Sequence, residues 1–275
     1  MAKMMVGRQV SFTVEKGEAN TGEEVLRIEN LSVKNNKKVL GLKNFNLEVK
    51  KGEIVGIAGV EGNGQTELVE AITGMKHAEE GKIFFNGKDI TKDSIRKRID
   101  EGIAHIPEDR HKRGLILDYT MEDNLVLKVY KNKPFSKNGL INRSKITEYA
   151  NEIIKIFDVR SGEGGKSIAR SLSGGNQQKG IIGREIQSNP DLLIAVQPTR
   201  GLDVGSIEYI HKRLVEQRDS GKAVLLVSLE LDEILNVSDR IAIINNGELI
   251  GIVNASETDE NEVGLMMAGI KRGEN

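Results

Sequence analysis

Residues 53–73 place a short apolar run, a glycine-rich turn and a helical pattern in direct succession, and this succession constrains the fold more than any other segment. The run EIVGIAG is rich in β-branched residues, as expected of a strand buried on both faces. The turn after it has the spacing of a phosphate-binding P-loop, GxxxxGK(S/T), whose backbone N–H groups curl around phosphates at the start of a helix. The candidate phosphate-binding residues are Gly59, Gly62, Asn63, Gly64, Gln65 and Thr66.

Position 65 departs from the P-loop pattern. A P-loop carries lysine after its last glycine, and the ammonium group neutralises the β- and γ-phosphates. Gln65 offers a neutral amide instead. Taken alone, this degenerate loop is equally consistent with a glycine-rich turn that joins a strand to a helix and binds nothing.

The composition excludes several classes of protein. The 40 basic and 41 acidic residues leave no bulk positive charge, so no nucleic-acid partner is expected. The absence of cysteine excludes disulfides and thiolate zinc sites and favours a reducing compartment such as the cytosol. Apolar stretches such as IVGIAGV are far shorter than the roughly 20 residues that cross a bilayer, so no membrane-spanning segment is expected.

Short β-rich runs alternate with amphipathic helical patterns along the chain, which indicates an α/β domain with a mainly parallel, buried sheet. Two strands at 240–253 are joined by Asn246-Gly247, a dipeptide that favours a tight antiparallel hairpin. The strand signal disappears between about 118 and 170, where charged helical sequence replaces it. We therefore expect an inserted helical lobe at about 118–190. Charged helix faces at 92–101 and 145–155 are interpreted as solvated surface, with a partner contact as the alternative.

A second candidate anion site is the segment LSGGNQQK, which opens a predicted helix. Ser173 and the N–H groups of Gly174 and Gly175 would lie at the N-terminus of that helix, where the helix dipole favours a γ-phosphate. The alternative is a Ser/Gly helix cap without a ligand. That alternative leaves the order and spacing of the other motifs unexplained.

LSGGNQQK, with a P-loop upstream and PTRGLD downstream, resembles the ATP-binding cassette (ABC) family. Together with PEDRHKRGL at 107–115 and PTRGLDVGS at 198–206, it is similar to the second cassette of tandem ATPases that serve importers of simple sugars and nucleosides. The resemblance covers about residues 24–270. It implies a P-loop NTPase core with a mainly parallel sheet, an antiparallel β subdomain and an inserted α-helical subdomain.

The family resemblance also assigns roles to single positions. In this family two cassettes pack head to tail, and each ATP lies between the P-loop of one and the signature segment of the other. Thr66 matches the hydroxyl that binds Mg²⁺, and Asp203 matches the D-loop residue that signals across the dimer. Other positions are substituted: Glu108 replaces the glutamine of the Q-loop, Gln197 the catalytic glutamate and Leu229 the γ-phosphate-sensing histidine.

The substitutions fall on residues that would serve this chain's own ATP, including Val196 where the family has a metal-binding aspartate. The aromatic residue that stacks on adenine is also missing near 30–36. The retained signature and D-loop would serve the ATP of a partner cassette. We therefore expect ATP and Mg²⁺ to bind weakly or not at all at the chain's own site, and the isolated chain to be a poor ATPase.

The resemblance further implies a second, intact cassette, expected in the same polypeptide, and transmembrane permease subunits at the cytoplasmic face of the membrane. An extracytoplasmic solute-binding protein would be an indirect partner, and the transported solute is not encoded here. Met4–Gly7 resembles Met266–Gly269, so residues 1–22 are interpreted as a linker or the tail of a preceding cassette, with coincidence as the alternative. The cassette itself is predicted at 23–270, followed by a tail at 271–275.

Two other functions stay open at this point. One is a nucleotide-sensing or scaffold cassette that has no transport partner, because a fold does not dictate its use. The other is an autonomous P-loop ATPase, which Gln65, Val196 and Gln197 argue against.

Overall fold

The computed structural model describes residues 14–272, which divide into two compact units. The core unit comprises 14–105, Pro190–Gln197 and 211–272, and the helical unit comprises Ile106–Asn189 and Pro198–Ile210. The helical unit thus begins before the predicted lobe and includes a second segment after it. The repeated motif that begins at Met4 lies outside the described residues.

A six-stranded sheet forms the centre of the core unit, in the order β12-β11-β3-β10-β9-β6. Strand β3 pairs in parallel with β10 on one side and with β11 on the other, while β12 joins the edge as an antiparallel strand. Every residue of β3 and β10 is buried, as their continuous apolar sequences predicted. The strands are β1 Glu24–Lys34, β2 Leu40–Lys50, β3 Ile54–Ala58, β4 Glu80–Phe85, β5 Lys88–Asp89, β6 Ile103–Ile106, β7 Ser136–Lys137, β8 Leu140–Ile141, β9 Leu192–Val196, β10 Ala223–Val227, β11 Arg240–Asn245 and β12 Glu248–Asn254.

A second sheet of the core unit is antiparallel, in the order β2-β1-β4-β5. Buried side chains of this sheet, such as Leu31 and Phe45, share one apolar cluster with Val55 of β3. The predicted fold class is confirmed, with a mainly parallel sheet and an antiparallel β subdomain. The predicted hairpin is also present, since Asn246 and Gly247 adopt φ values of 49° and 82° between β11 and β12.

Eight α-helices are described between residues 14 and 272. Several begin at a side-chain cap; the Thr120 side chain, for example, accepts a hydrogen bond from the backbone N–H of Asp123. A short helix that the sequence did not predict follows β10, whereas the short helix after β5 lies within the charged helical pattern expected at 92–101. The helices are α1 Gln65–Thr73, α2 Ile95–Glu101, α3 Met121–Val126, α4 Arg143–Ile156, α5 Gly174–Gln187, α6 Val204–Asp219, α7 Leu231–Val237 and α8 Glu260–Met267.

The prediction of a solvated charged face at 92–101 is wrong for Arg98. This side chain is 2% exposed, and its guanidinium donates to the carbonyl oxygens of Ala71, Ile72 and Ile90 at 2.6–2.7 Å. It also donates to Thr91 and Asp93 carbonyls. The buried charge is therefore satisfied by main-chain acceptors, which ties α2 to the end of α1.

In the helical unit, α5 packs closely against its neighbours because it carries glycine on its buried side. A Cβ on Gly180 would lie 2.9 Å from the Met121 sulfur, and one on Gly183 would lie 2.7 Å from Ile153. A buried ion pair reinforces this packing: Lys128 Nζ lies 2.5 Å from Glu185 Oε2. Among the residues described, no helix is long and apolar enough to cross a bilayer.

Candidate functional site

The glycine-rich loop lies at the carboxyl end of the central strand β3, in the core unit. Gly62 and Gly64 have φ values of 89° and 107°, which side chains rarely adopt. A Cβ on Gly64 would lie 2.5 Å from the Gly41 carbonyl oxygen, so only glycine fits there. Gly64 caps α1 without a side-chain hydrogen bond, so no side chain caps the N–H groups of the first helical turn.

The side chain of Gln65 points back into the glycine-rich loop that precedes it. It is 7% exposed, and its Nε2 donates to the Val60 carbonyl oxygen at 3.0 Å. Its Nε2 lies 2.7 Å from the place where a Cβ on Gly59 would be, which explains glycine at position 59. The loop also packs against the β11–β12 turn, where Gly247 N donates to the Asn63 carbonyl oxygen at 3.0 Å.

These residues fit the phosphates of a nucleotide through the backbone alone. The curled loop and the uncapped helix start supply N–H donors, but the loop has no lysine or arginine side chain. The fit to Mg²⁺ is weaker. The exposed Thr66 hydroxyl is suitable, yet residues 14–272 contain no group of three acidic or histidine side chains that could hold a metal ion.

Two neighbouring strand ends carry Val196, Gln197 and Leu229, and none of these side chains can ionise. Gln197 follows β9 with a φ of 48°, and its N–H donates to the Val227 carbonyl oxygen at 2.8 Å. The side chain is 8% exposed. Leu229 follows β10 and is 37% exposed. None of these three side chains can therefore act as a general base.

The signature segment lies in the helical unit and starts α5. Ser173 is exposed and caps the helix: its Oγ accepts from the Asn176 backbone N–H at 3.5 Å and from the Asn176 side-chain amide at 2.9 Å. A Cβ on Gly175 would lie 2.6 Å from Ser206 Oγ, so glycine is needed at that position for packing. The first turn therefore presents a hydroxyl and the backbone N–H groups of two glycines, a combination that suits a phosphate.

The polar residues after the glycines bind the main chain of the same unit. Gln177 Nε2 donates to the Ala169 carbonyl oxygen at 2.9 Å, and Gln178 Nε2 donates to that of Pro198 at 2.8 Å. Lys179 Nζ lies 2.9 Å from Asp158 Oδ2. The residues NQQK thus have a structural explanation, which the sequence alone did not provide.

Arg110 is a residue that the sequence analysis missed. Its Nη2 lies 3.2 Å from the place where a Cβ on Gly174 would be, directly beside the start of α5. Its Nη1 donates to the Arg200 carbonyl oxygen at 3.1 Å, and its Nε is buried without an acceptor among the described residues. The motif PEDRHKRGL was the only available signal, and it did not distinguish this arginine from its neighbours.

The remaining predicted site residues of the helical unit are engaged with neighbours. Glu108 forms an ion pair with Arg200, and both side chains are exposed. Asp203 Oδ1 accepts from the Ser206 N–H at 3.0 Å, and its Oδ2 accepts from the Ser206 hydroxyl at 2.8 Å. The bond from the Ser206 hydroxyl, followed by the backbone bond, lowers the pKa of Asp203. The carboxylate is therefore ionised as it caps the start of α6.

Comparison with known proteins agrees with this geometry. The family model described as ABC transporter matches residues 42–200. The chain belongs to the ABC transporter family. Its fold is that of a solved nucleotide-free ATP-binding cassette from an ABC transporter, with a TM-score of 0.73, 26% identity, and coverage of 90% of this chain and 96% of that one.

Two curated relatives cover 98% of this ABC transporter chain. It is 54% identical over 269 residues to a guanosine import ATP-binding protein, NupO, of Bacillus subtilis (strain 168). It is 53% identical over 269 residues to a nucleoside import ATP-binding protein, NupA, of Lactococcus lactis subsp. cremoris (strain MG1363). The matches cover 52% and 53% of those relatives, so the chain spans about half of their length.

Proposed function

We propose that this chain is the ATP-binding component of an importer of nucleosides or simple sugars, and that its signature segment completes the ATP site of an intact partner cassette. The observation that carries the proposal is a contrast of charge. The start of α5 presents exposed Ser173 with Arg110 beside it, whereas the P-loop has no cationic side chain and Gln65 in place of lysine.

The partner's ATP would meet three groups of this chain. The Ser173 hydroxyl donates a hydrogen bond to a γ-phosphate oxygen, the N–H groups of Gly174 and Gly175 add the positive end of the helix dipole, and Arg110 adds a full charge. Such preorganised donors stabilise charge that develops during phosphoryl transfer. The partner supplies the lysine, the metal ligands and the base that this chain does not have.

At the chain's own site, ATP would bind weakly through the backbone of the P-loop and the Thr66 hydroxyl. A cationic clamp is worth about 10³–10⁵ in the rate of phosphoryl transfer. Because Gln65, Val196 and Gln197 remove the clamp, a metal ligand and the base together, hydrolysis at this site should be negligible.

Coupling to a permease would use an apolar surface of the helical unit. Ile116, Tyr119 and Ile168 are 42%, 51% and 42% exposed, and the two segments that carry them are hydrogen-bonded, with Ala169 N donating to the Tyr119 carbonyl oxygen at 2.9 Å. Exposed apolar patches of this kind mark protein-binding sites. We propose that permease subunits bind this surface at the cytoplasmic face, with a solute-binding protein as an indirect partner.

The names of the relatives favour nucleosides as solutes and an import function over a scaffold without a transport partner. Their greater length supports a tandem protein, in which 23–270 is the second cassette, 1–22 a linker from the first and 271–275 a tail. The intact partner cassette would then lie in the same polypeptide.

The test is reconstitution with an intact partner cassette. Ser173→Arg places a bulky cation where the phosphate binds, and it should abolish the ATPase activity of the mixture. Ser144→Arg is the matched control, since Ser144 is an exposed serine in the first turn of α4 in the same unit. ATPase activity that survives Ser173→Arg at the level of the control would refute the proposal.

A further inference from the structure

A β-hairpin projects from the helical unit between α3 and α4. Strands β7 and β8 pair antiparallel and are joined by Asn138-Gly139, whose φ values of 51° and 80° define a tight two-residue turn. The role proposed above, in the partner's ATP site and at the permease surface, does not involve this hairpin. Its purpose therefore requires a separate explanation.

The tip of the hairpin carries two exposed apolar side chains. Leu140 is 78% exposed, more than any other large apolar side chain among residues 14–272, and Ile141 is 49% exposed. Successive residues of a strand point to opposite faces. Leu140 and Ile141 therefore lie on opposite faces of the hairpin, and both are exposed.

The segment that carries this tip is rich in positive charge. Residues 131–145 contain five lysine or arginine residues and no aspartate or glutamate. Arg143 pairs with Asp123, and Lys145 pairs with Glu148 at 2.6 Å. The three other cations, which are exposed and form no ion pair within residues 14–272, are Lys131, Lys133 and Lys137.

The base of the hairpin is firmly held. Phe135 is 8% exposed, packs with Val126 and Ile146, and has its ring centroid 4.9 Å from that of Tyr149. Asn142 N donates to the Phe135 carbonyl oxygen at 2.8 Å, which closes the loop. The fold therefore holds an apolar, cationic tip outward, although burying Leu140 and Ile141 would have stabilised the chain.

We infer that this hairpin is a contact for the anionic lipid headgroups of a membrane surface. Unpaired lysines attract acidic phospholipids, and apolar side chains beside them enter the boundary between headgroups and acyl chains. Leu140 and Ile141 point in opposite directions. A fluid lipid interface suits such a tip, because lipid can cover both side chains at once. An acidic protein partner could form ion pairs with the lysines. A pocket on a protein, however, would cover only one face of the hairpin and leave the other apolar side chain exposed.

The absence of cysteine from this chain permits a direct test. The full chain with Leu140→Cys is labelled with an environment-sensitive dye and titrated with vesicles of phosphatidylglycerol and phosphatidylcholine. We expect a blue shift that requires phosphatidylglycerol and weakens with salt. The control is Ile95→Cys, because Ile95 is 45% exposed on α2 in the core unit, and its dye should report no insertion.

Charge removal sharpens the test. In the Leu140→Cys background, Lys131→Gln, Lys133→Gln and Lys137→Gln together should weaken binding roughly 100-fold, since each lysine near an anionic surface contributes about fivefold. The matched control is Lys88→Gln with Lys92→Gln, two exposed lysines of the core unit without ion pairs among the described residues. It should leave the titration unchanged.

The inference would be overturned if the dye at position 140 reported no change on anionic vesicles, or an equal change on pure phosphatidylcholine. It would also be overturned if the triple variant bound vesicles as tightly as the parent. A dye that responds only to an acidic peptide from a permease would also overturn it, in favour of a protein partner. The assay uses neither ATP nor a partner cassette, so its failure and that of the proposed function are distinguishable.

Discussion

Arg110→Gln tests the most specific feature of the signature surface, which is an arginine beside the start of α5. The variant replaces the guanidinium with a planar amide and so removes the charge. Arg110 Nη2 approaches the Cβ position of Gly174 within 3.2 Å, so a phosphate bound at the helix start would lie near the guanidinium. For a separation of about 6 Å and an effective dielectric constant of about 20, Coulomb's law gives about 3 kcal/mol, or roughly 100-fold in kcat/KM.

The assay is steady-state ATPase activity of this chain mixed with an intact partner cassette. Lys112→Gln is the matched control, because it removes a charge from the same turn. The Lys112 side chain is 85% exposed, and its Nζ makes only a long ion pair with Asp109, at 3.9 Å. We expect a large fall in kcat/KM for Arg110→Gln and little change for the control. Arg110→Lys should recover part of the loss, since it restores the charge without the planar geometry.

Arg110 also holds the Arg200 carbonyl oxygen, so a structural role must be separated from an electrostatic one. Thermal unfolding of the variants measures the structural part. Equal ATPase activities for Arg110→Gln and Lys112→Gln would refute the electrostatic argument. A loss of activity that tracks the loss of thermal stability in every variant, including Arg110→Lys, would refute it as well.

Three further predictions concern the P-loop, the signature helix and the buried ion pair. Gln65→Lys should raise the affinity for a fluorescent ATP analogue about tenfold or more without producing hydrolysis, and turnover by the purified variant would contradict this. Gly175→Ala should lower both stability, by about 1–3 kcal/mol, and the ATPase activity of the mixture, because the new Cβ would lie 2.6 Å from Ser206 Oγ; Gly162→Ala, with nothing within 4 Å, should change neither in the same melting and ATPase assays. Burial alone would raise the pKa of Glu185, but Lys128 and Arg184 hold it below its ordinary value. The resulting stability is therefore present at neutral pH and lost as the pH falls below about 4, and melting temperatures of Glu185→Gln should lose that acid dependence.

Much of the fold was predictable because its signals are local. Strands β3 and β10 are continuous apolar runs between turns, and Asn246-Gly247 forms the hairpin that its preference for positive φ predicted. The seven-residue helix at 231–237 was missed, since two turns carry too little periodicity to distinguish it from a loop.

Tertiary contacts account for the other errors. The burial of Arg98 depends on carbonyl oxygens contributed by α1 and by the segment after β5, and no local pattern encodes their meeting. Arg110 gains its position from Gly174 and the Arg200 carbonyl, both far away in sequence. The ion pair between Glu108 and Arg200 likewise joins residues far apart in sequence, while the Q-loop role of Glu108 stays a prediction.

The structure also separates the signature residues that packing explains from those that indicate phosphate binding. Gln177, Gln178 and Lys179 each bind backbone carbonyls in the helical unit, so packing alone explains why those residue types are present. Ser173 differs because it is exposed and its hydroxyl meets only the amide of Asn176. A helix cap accounts for a serine there, but not for a guanidinium placed beside the positive end of a helix, where the dipole disfavours a cation. An anion shared by Arg110 and the helix start removes that conflict. The case for action on a partner's ATP therefore rests on this pairing rather than on the length of the motif.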